Sequence, residues 1–247
     1  MSKTLHIRFY EELNDFLPEH KKMVPFAHIF QGTPSIKDVI ESLGVPHTEI
    51  DLILINGKSV NFNHHPNHDD KISVYPVFES FDISEILHLR PEPLRVIRFI
   101  LDVHLGKLAR YLRMLGFDSA YENDFDDEEI IERAVKEKRV ILTRDIGILR
   151  NGKVTHGLWL RSQDTKEQIR EVIYRLDLYS QFKPFNRCMS CNGKIFKVKK
   201  QHVVDYLKPG TRKFFHSFYQ CKDCKKIFWK GSHYEKMVKM IDELKVK

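Results

Sequence analysis

Two aspartates stand directly behind apolar runs: Asp102 in Arg98-Phe99-Ile100-Leu101-Asp102, and Asp145 in Val140-Ile141-Leu142-Thr143-Arg144-Asp145. Such runs read as buried strands, and ligands of open α/β sheets sit beyond the carboxyl ends of the strands. Between them lies an acidic cluster, Asp124, Asp126 and Asp127, from which a third carboxylate is expected. Carboxylates brought close together repel one another, and burial penalises their charged forms. A hard cation such as Mg²⁺ or Mn²⁺ relieves both costs through oxygen ligands. So held, it polarises a phosphate, positions water and stabilises a leaving oxygen. The chemistry expected is hydrolysis of a phosphodiester. Lys107, Arg110, Arg113 and Arg144 lie near these acids in sequence and are expected to hold substrate phosphates, arginine through its bidentate fork. Each residue alone has a plainer reading: Asp127 as a helix cap, Asp145 as a turn former, the basic residues as a solvated helix face.

A second constellation is made of sulfur. Cys188, Cys191, Cys221 and Cys224 form two Cys-x-x-Cys pairs with 29 residues between them. This pattern predicts a closed four-thiolate Zn²⁺ site of structural type, whereas a redox dithiol needs only one pair. The surrounding segment, residues 183–247, holds 17 Lys+Arg against 5 Asp+Glu, a net of +12, while residues 1–94 carry −6 and residues 95–182 carry +1. Binding of Zn²⁺ by four thiolates leaves the segment at about +10. A small basic module of this kind is an electrostatic footprint for nucleic acid. Lys197, Lys199, Lys200, Arg212, Lys213, Lys222, Lys225 and Lys226, interleaved with Phe and Tyr, are expected to grip RNA by phosphate contacts and stacking. The same aromatics also suit the core of a ribbon.

The elements that must position these groups follow from periodicity. Around the aspartates, strands are expected over Val96–Leu101, Asp118–Tyr121, Val140–Leu142 and His156–Leu160. Helices between them carry core stripes: Leu105, Leu108, Leu112 and Leu115; then Ile130, Ile131, Ala134 and Val135; then Ile169, Val172, Ile173 and Leu176. Gly147 and Gly152 are expected to loosen the loop after Asp145. Strand–helix alternation of this kind predicts a parallel, doubly wound α/β sheet. The domains expected are 1–82, a linker at 83–94 with a short helical piece at Ile83–Leu89, the sheet domain at 95–182, and the cysteine module at 183–247. No apolar run approaches the ~20 residues needed to cross a bilayer, and the N-terminus shows no apolar signal core. A cytoplasmic location without membrane contact is expected.

Residues 3–10 alternate as a half-buried strand, Thr33-Pro34-Ser35 opens a helix over Ile36–Leu43, and Leu52–Ile55 ends in the Asn56-Gly57 turn signal before Lys58. With a last strand at Ile72–Val77, this order resembles the β-grasp, ubiquitin-like fold, closest to the small sulfur-carrier proteins. Those carriers act through a terminal Gly-Gly, and no two glycines are adjacent in this chain, so sulfur transfer is disfavoured and a protein-binding or scaffolding role is expected. His64, His65 and His68 in a polar loop read as solvent-exposed rather than as metal ligands.

The run Asp102-Val103-His104-Leu105-Gly106-Lys107-Leu108-Ala109-Arg110-Tyr111-Leu112-Arg113-Met114-Leu115-Gly116-Phe117-Asp118 resembles the opening motif of the PIN-like ribonuclease family named after the C-terminus of the Mut-seven exonucleases. Arg139 to Asp145 is similar to that family's second motif, and Asp127-Glu128-Glu129-Ile130 sits where the family places an intervening aspartate. The resemblance implies a PIN-like fold, a metal-dependent ribonuclease site of Asp102, Asp127 and Asp145, and a zinc-ribbon tail. Family members with an N-terminal ubiquitin-like domain fit residues 1–80. Asp124 and Asp126 stand close enough to serve in place of Asp127, and a customary fourth acid has no counterpart here. The expected function is RNA hydrolysis with Mg²⁺ or Mn²⁺, Zn²⁺ being structural. The alternative is a non-catalytic RNA-binding or ribosome-associated adaptor that retains the fold.

Overall fold

The computed structural model describes residues 2–76 and 96–245 of the 247-residue chain. The expected linker and its helical piece lie outside the described residues. The N-terminal sheet contains β1 (Ser2–Phe9), β2 (Phe26–Gln31), β3 (Ile50–Ile55), β4 (Lys58–Ser59) and β5 (Lys71–Pro76), in the order β2-β1-β5-β3-β4. β1 and β5 run parallel with Ile7 opposite Ile72 and Phe9 opposite Val74, and the other pairs are antiparallel. Alternation places Leu5, Ile7 and Phe9 on the buried face, against Ile36, Val39 and Ile40 of helix α1 (Ile36–Ser42). Ser35 and Asp38 form a reciprocal capping box at the start of α1. Asn56 (φ 50°) and Gly57 (φ +79°) make the tight turn between β3 and β4 that their types predict. This is the ubiquitin-like arrangement expected.

The next elements are β6 (Arg98–Leu101), α2 (Gly106–Leu115), β7 (Asp118–Ala120), α3 (Asp127–Glu137), β8 (Val140–Thr143), α4 (Ile146–Leu149), β9 (Gly157–Trp159) and α5 (Thr165–Arg175). β6 is parallel to β7, and β8 is parallel to β9. All four residues of β8 are buried, as the apolar run requires. The two motif glycines of α2 have steric causes. A Cβ on Gly106 would meet the Tyr121 hydroxyl at 2.6 Å, and Gly116, at φ +99°, sits against the carbonyl of Lys183.

Three expectations are corrected here. The first strand starts at Arg98, and Val96 is exposed. Val135 is 46% exposed because α3 buries only the narrower stripe of Ile130, Ile131 and Ala134. The segment after Asp145 is a short capped helix rather than a loosened loop, because Asp145 supplies the cap and Ile148 and Leu149 are buried.

The basic module is a three-stranded antiparallel sheet, β10 (Ile195–Val198), β11 (Phe218–Cys221) and β12 (Ile227–Trp229), with α6 (Pro209–Phe214) between β10 and β11 and α7 (Ser232–Lys245) closing the chain. Its own core is small: Val203, Leu207 and Phe218 buried, with Val198, Phe215 and Ile227 against them. The described residues form two compact units that interleave along the sequence, 2–76, 96 and 126–160 in one, and 97–125 with 161–245 in the other.

Candidate functional site

Four of the five predicted acids sit where a strand ends or a helix begins. Asp102 follows β6 directly, is 8% exposed, and its carbonyl accepts from Leu105 N–H at 2.9 Å. Asp145 follows β8 after Arg144 and is exposed. Its Oδ1 accepts from Gly147 N–H at 2.6 Å, and its own N–H donates to Thr143 Oγ1 at 2.8 Å. Asp126, not Asp127, is the cap of α3, with Oδ1 accepting from Glu129 N–H at 2.8 Å. Asp127 opens the helix beside Glu128 and Glu129, where negative charge complements the helix dipole. Asp124 is exposed in the preceding loop. Lys107 and Arg110 are exposed on α2, and Arg144 is exposed after β8.

Arg113 departs from its expected role of holding phosphate. It is 4% exposed, and its guanidinium donates to the carbonyls of Ser119 (2.9 Å), Ser190 (3.0 Å), Met189 (3.3 Å) and Tyr121 (3.5 Å). Burial pulls its pKa down from the ordinary arginine value, against the opposing pull of Glu122 and nearby thiols. A side chain spent on four carbonyls inside the protein has no fork left for a phosphate. It ties α2 and β7 to the first cysteine turn instead.

Asn192 completes that tie. Its Oδ1 accepts from Ser119 N–H at 3.1 Å and its Nδ2 donates to Asp118 Oδ1 at 2.8 Å, while Arg187 donates to Asp118 Oδ2 at 3.0 Å. Nothing in the spacing of these residues announces the network. The one signal was Asn following a Cys-x-x-Cys pair, a position that favours left-handed backbone.

The four cysteines come together. Their Sγ atoms all lie within 4.8 Å of one another, with Cys188–Cys224 at 3.7 Å and Cys191–Cys221 at 3.4 Å. A tetrahedron with metal–sulfur bonds of about 2.3 Å has edges of roughly 3.8 Å. The two turns are built alike. The N–H of Cys188 donates to Gly193 O at 2.8 Å and that of Cys221 to Lys226 O at 2.9 Å, each bond spanning five residues. The residue after each second cysteine is left-handed, Asn192 at φ 66° and Lys225 at φ 61°. A Cβ on Gly193 would fall 2.8 Å from Cys221 Sγ, so the close approach needs glycine. Burial pushes the thiols of Cys188, Cys221 and Cys224 up. For Cys191 burial acts the same way, but the Gly193 N–H and the neighbouring sulfurs outweigh it and hold the thiol at about 7. The donor set and its spacing suit a metal ion such as zinc.

Fold and site together define a class: an α/β protein whose parallel sheet carries acids at strand ends, joined to a ubiquitin-like sheet and a four-cysteine ribbon. The Mut7-C RNAse domain family matches residues 97–241, more than half of the chain, and the Mut7-C ubiquitin family matches residues 2–82. The chain belongs to the Mut7-C RNAse domain family and is of nuclease type. Comparison with curated proteins and with solved structures gave no match. Among the described residues no helix is long and apolar enough to cross a membrane.

Proposed function

We propose that the chain is a divalent-metal-dependent ribonuclease, in which Asp102, Asp145 and a carboxylate of the 124–127 cluster, Asp127 first among them, hold Mg²⁺ or Mn²⁺. The observation that carries this reading is that the two aspartates follow the two buried strands β6 and β8 of a segment matched by an RNase family. The bound ion would polarise the phosphate and supply an activated water. The carboxylates orient that chemistry from fixed positions: Asp102 from a buried strand end, Asp145 from a helix cap that already fixes its Oδ1. Exposed Lys107, Arg110 and Arg144 would neutralise substrate phosphates. Structural Zn²⁺ on the four cysteines would order the basic ribbon, which grips RNA.

The test is cleavage of labelled RNA by the full chain with Mn²⁺ added or withheld, for the wild type, Asp102→Asn and Asp145→Asn. The expected result is Mn²⁺-dependent cleavage that each substitution lowers on the order of 100- to 1,000-fold, with RNA affinity unchanged. A second reading, an RNA-binding or ribosome-associated adaptor, rests on the net charge of +12 carried by residues 183–247. RNA bound tightly but left intact with every divalent metal tried would select it.

A further inference from the structure

The ubiquitin-like domain is joined by specific bonds to the segment that carries Asp145. Glu49, with no exposed surface, accepts the backbone N–H of Trp159 at 2.6 Å. His47 Nε2 lies 2.7 Å from the carbonyl of Val154 and its Nδ1 2.6 Å from Glu41. Arg150 donates to the carbonyl of Gly44 at 2.9 Å. The rings of Phe16 and Trp159 pack at a centroid distance of 4.9 Å.

Trp159 lies in β9, which pairs with β8 along one side. The β8 side of this strand is served by neighbouring residues, since Leu160 N–H donates to Thr143 O at 2.8 Å. Alternation then turns the N–H of Trp159 outward, toward the open edge. Such an edge group is a template for strand pairing, and the Glu49 carboxylate occupies it. The indole of the same tryptophan reaches back, with Nε1 donating to Arg144 O at 3.2 Å. Asp145 is the next residue, and the helix it caps ends beside Arg150. Residues 144–150 are thus held at the start through Trp159 and at the end through Gly44 O.

We infer that the partner of the ubiquitin-like domain is the RNase domain's own β9 edge, and that Glu49, Trp159 and Arg150 are positioning residues for Asp145. The effect on catalysis rests on the role proposed for Asp145, while the clamp itself does not. A rigid clamp on a ligand-bearing turn acts as an outer-shell support, whose loss costs metal affinity or activity about 10- to 100-fold.

The experiment uses the full chain, free of RNA and of added Mn²⁺, and reads amide hydrogen exchange at residues 144–150 in Glu49→Ala, Glu49→Gln, Arg150→Ala, Arg150→Lys and Trp159→Phe. The alanine variants are expected to speed exchange there roughly tenfold or more while leaving residues 98–101 unchanged. Glu49→Gln and Arg150→Lys, which keep an acceptor and a donor, should restore most of the protection. In cleavage assays the Mn²⁺ concentration for half-maximal rate should rise in the alanine variants, with a smaller change in the rate at saturating Mn²⁺. Unchanged exchange at 144–150 in both alanine variants overturns the inference. If either fails to fold, Trp159→Phe, which removes one indole bond, is read by the same criterion. Faster exchange in a chain whose wild type never cleaves RNA upholds the clamp and defeats the nuclease reading.

Discussion

The cysteine cluster and the strand-end acids are both metal-ligand sets by residue type, and the fold treats them differently. The four sulfurs lie within 4.8 Å of one another because two turns of the same design face across one short hairpin sheet. The acids come from separate strand ends and helix starts, and two of them, Asp126 and Asp145, already serve as caps. Ligands carried on paired turns are brought together by local hydrogen bonds. Ligands carried on strands that are distant in sequence depend on the whole domain being assembled.

The largest effect expected is at the sulfur site. Cys188→Ser or Cys221→Ser should abolish binding of one zinc per chain, a loss on the order of 10 kcal/mol of metal-linked folding energy. Metal analysis and limited proteolysis within residues 186–230 would report it. A metal-free chain that kept its ribbon protected would break the comparison, because the small core of Val203, Leu207 and Phe218 would then suffice.

Asp145→Asn is the matching change at the acid site. Asparagine caps helices as well as aspartate does, so stability should move by less than about 1 kcal/mol while Mn²⁺-dependent cleavage falls as predicted above. Equilibrium urea unfolding beside the cleavage rate separates the two quantities. A stability loss as large as the activity loss would make Asp145 a structural residue.

Arg113 and Arg110 sharpen the contrast within a single helix. Arg113→Lys cannot serve four carbonyls at once and should cost about 2 kcal/mol, weakening zinc retention through Met189 and Ser190. Arg110→Ala, on the exposed face, should leave stability within about 0.5 kcal/mol. If it meets a phosphate, it should lower the salt slope of RNA binding by about 0.7. Identical behaviour of the two variants would mean that burial does not divide their roles.

The smallest effect is at the far end of α3. Burial raises the Glu137 carboxyl, but bonds from Arg139 (2.6 Å) and Arg133 (2.8 Å) outweigh it and hold the pKa below the ordinary glutamate value. A carboxylate depressed in the folded chain adds stability above its unfolded pKa and loses it as pH falls through the folded one. Glu137→Gln should therefore cost under about 1 kcal/mol at neutral pH and nothing once both forms are protonated. Unfolding measured across the acid range would show the two curves converging.

Strands β7 and β9 each have an N–H bonded by a side chain from another module. Ser119 of β7 is met by Asn192 of the cysteine turn, and Trp159 of β9 by Glu49 of the ubiquitin-like domain. Edge strands left open invite aggregation. Neither Asn192 nor Glu49 was legible beforehand, because a polar residue in a turn reads as exposed until the partner backbone is known. Val135 misled for a related reason: apolar type and spacing define a stripe, but its width depends on what packs against it.

The amino-acid sequence by itself determined the order of strands and helices, the ubiquitin-like and RNase segments, and the pairing of the cysteines, because periodicity, turn residues and short ligand spacing are local properties of the chain. Only the tertiary structure decided that Arg113 is a buried clamp, that Asp126 rather than Asp127 caps α3, and that Glu49 closes the edge of β9. The first and the last depend on a backbone group brought in from a distant segment, whereas the cap is fixed by Glu129 N–H of its own helix. Buried donors and acceptors must be satisfied, and which partner does so is settled only when distant segments meet.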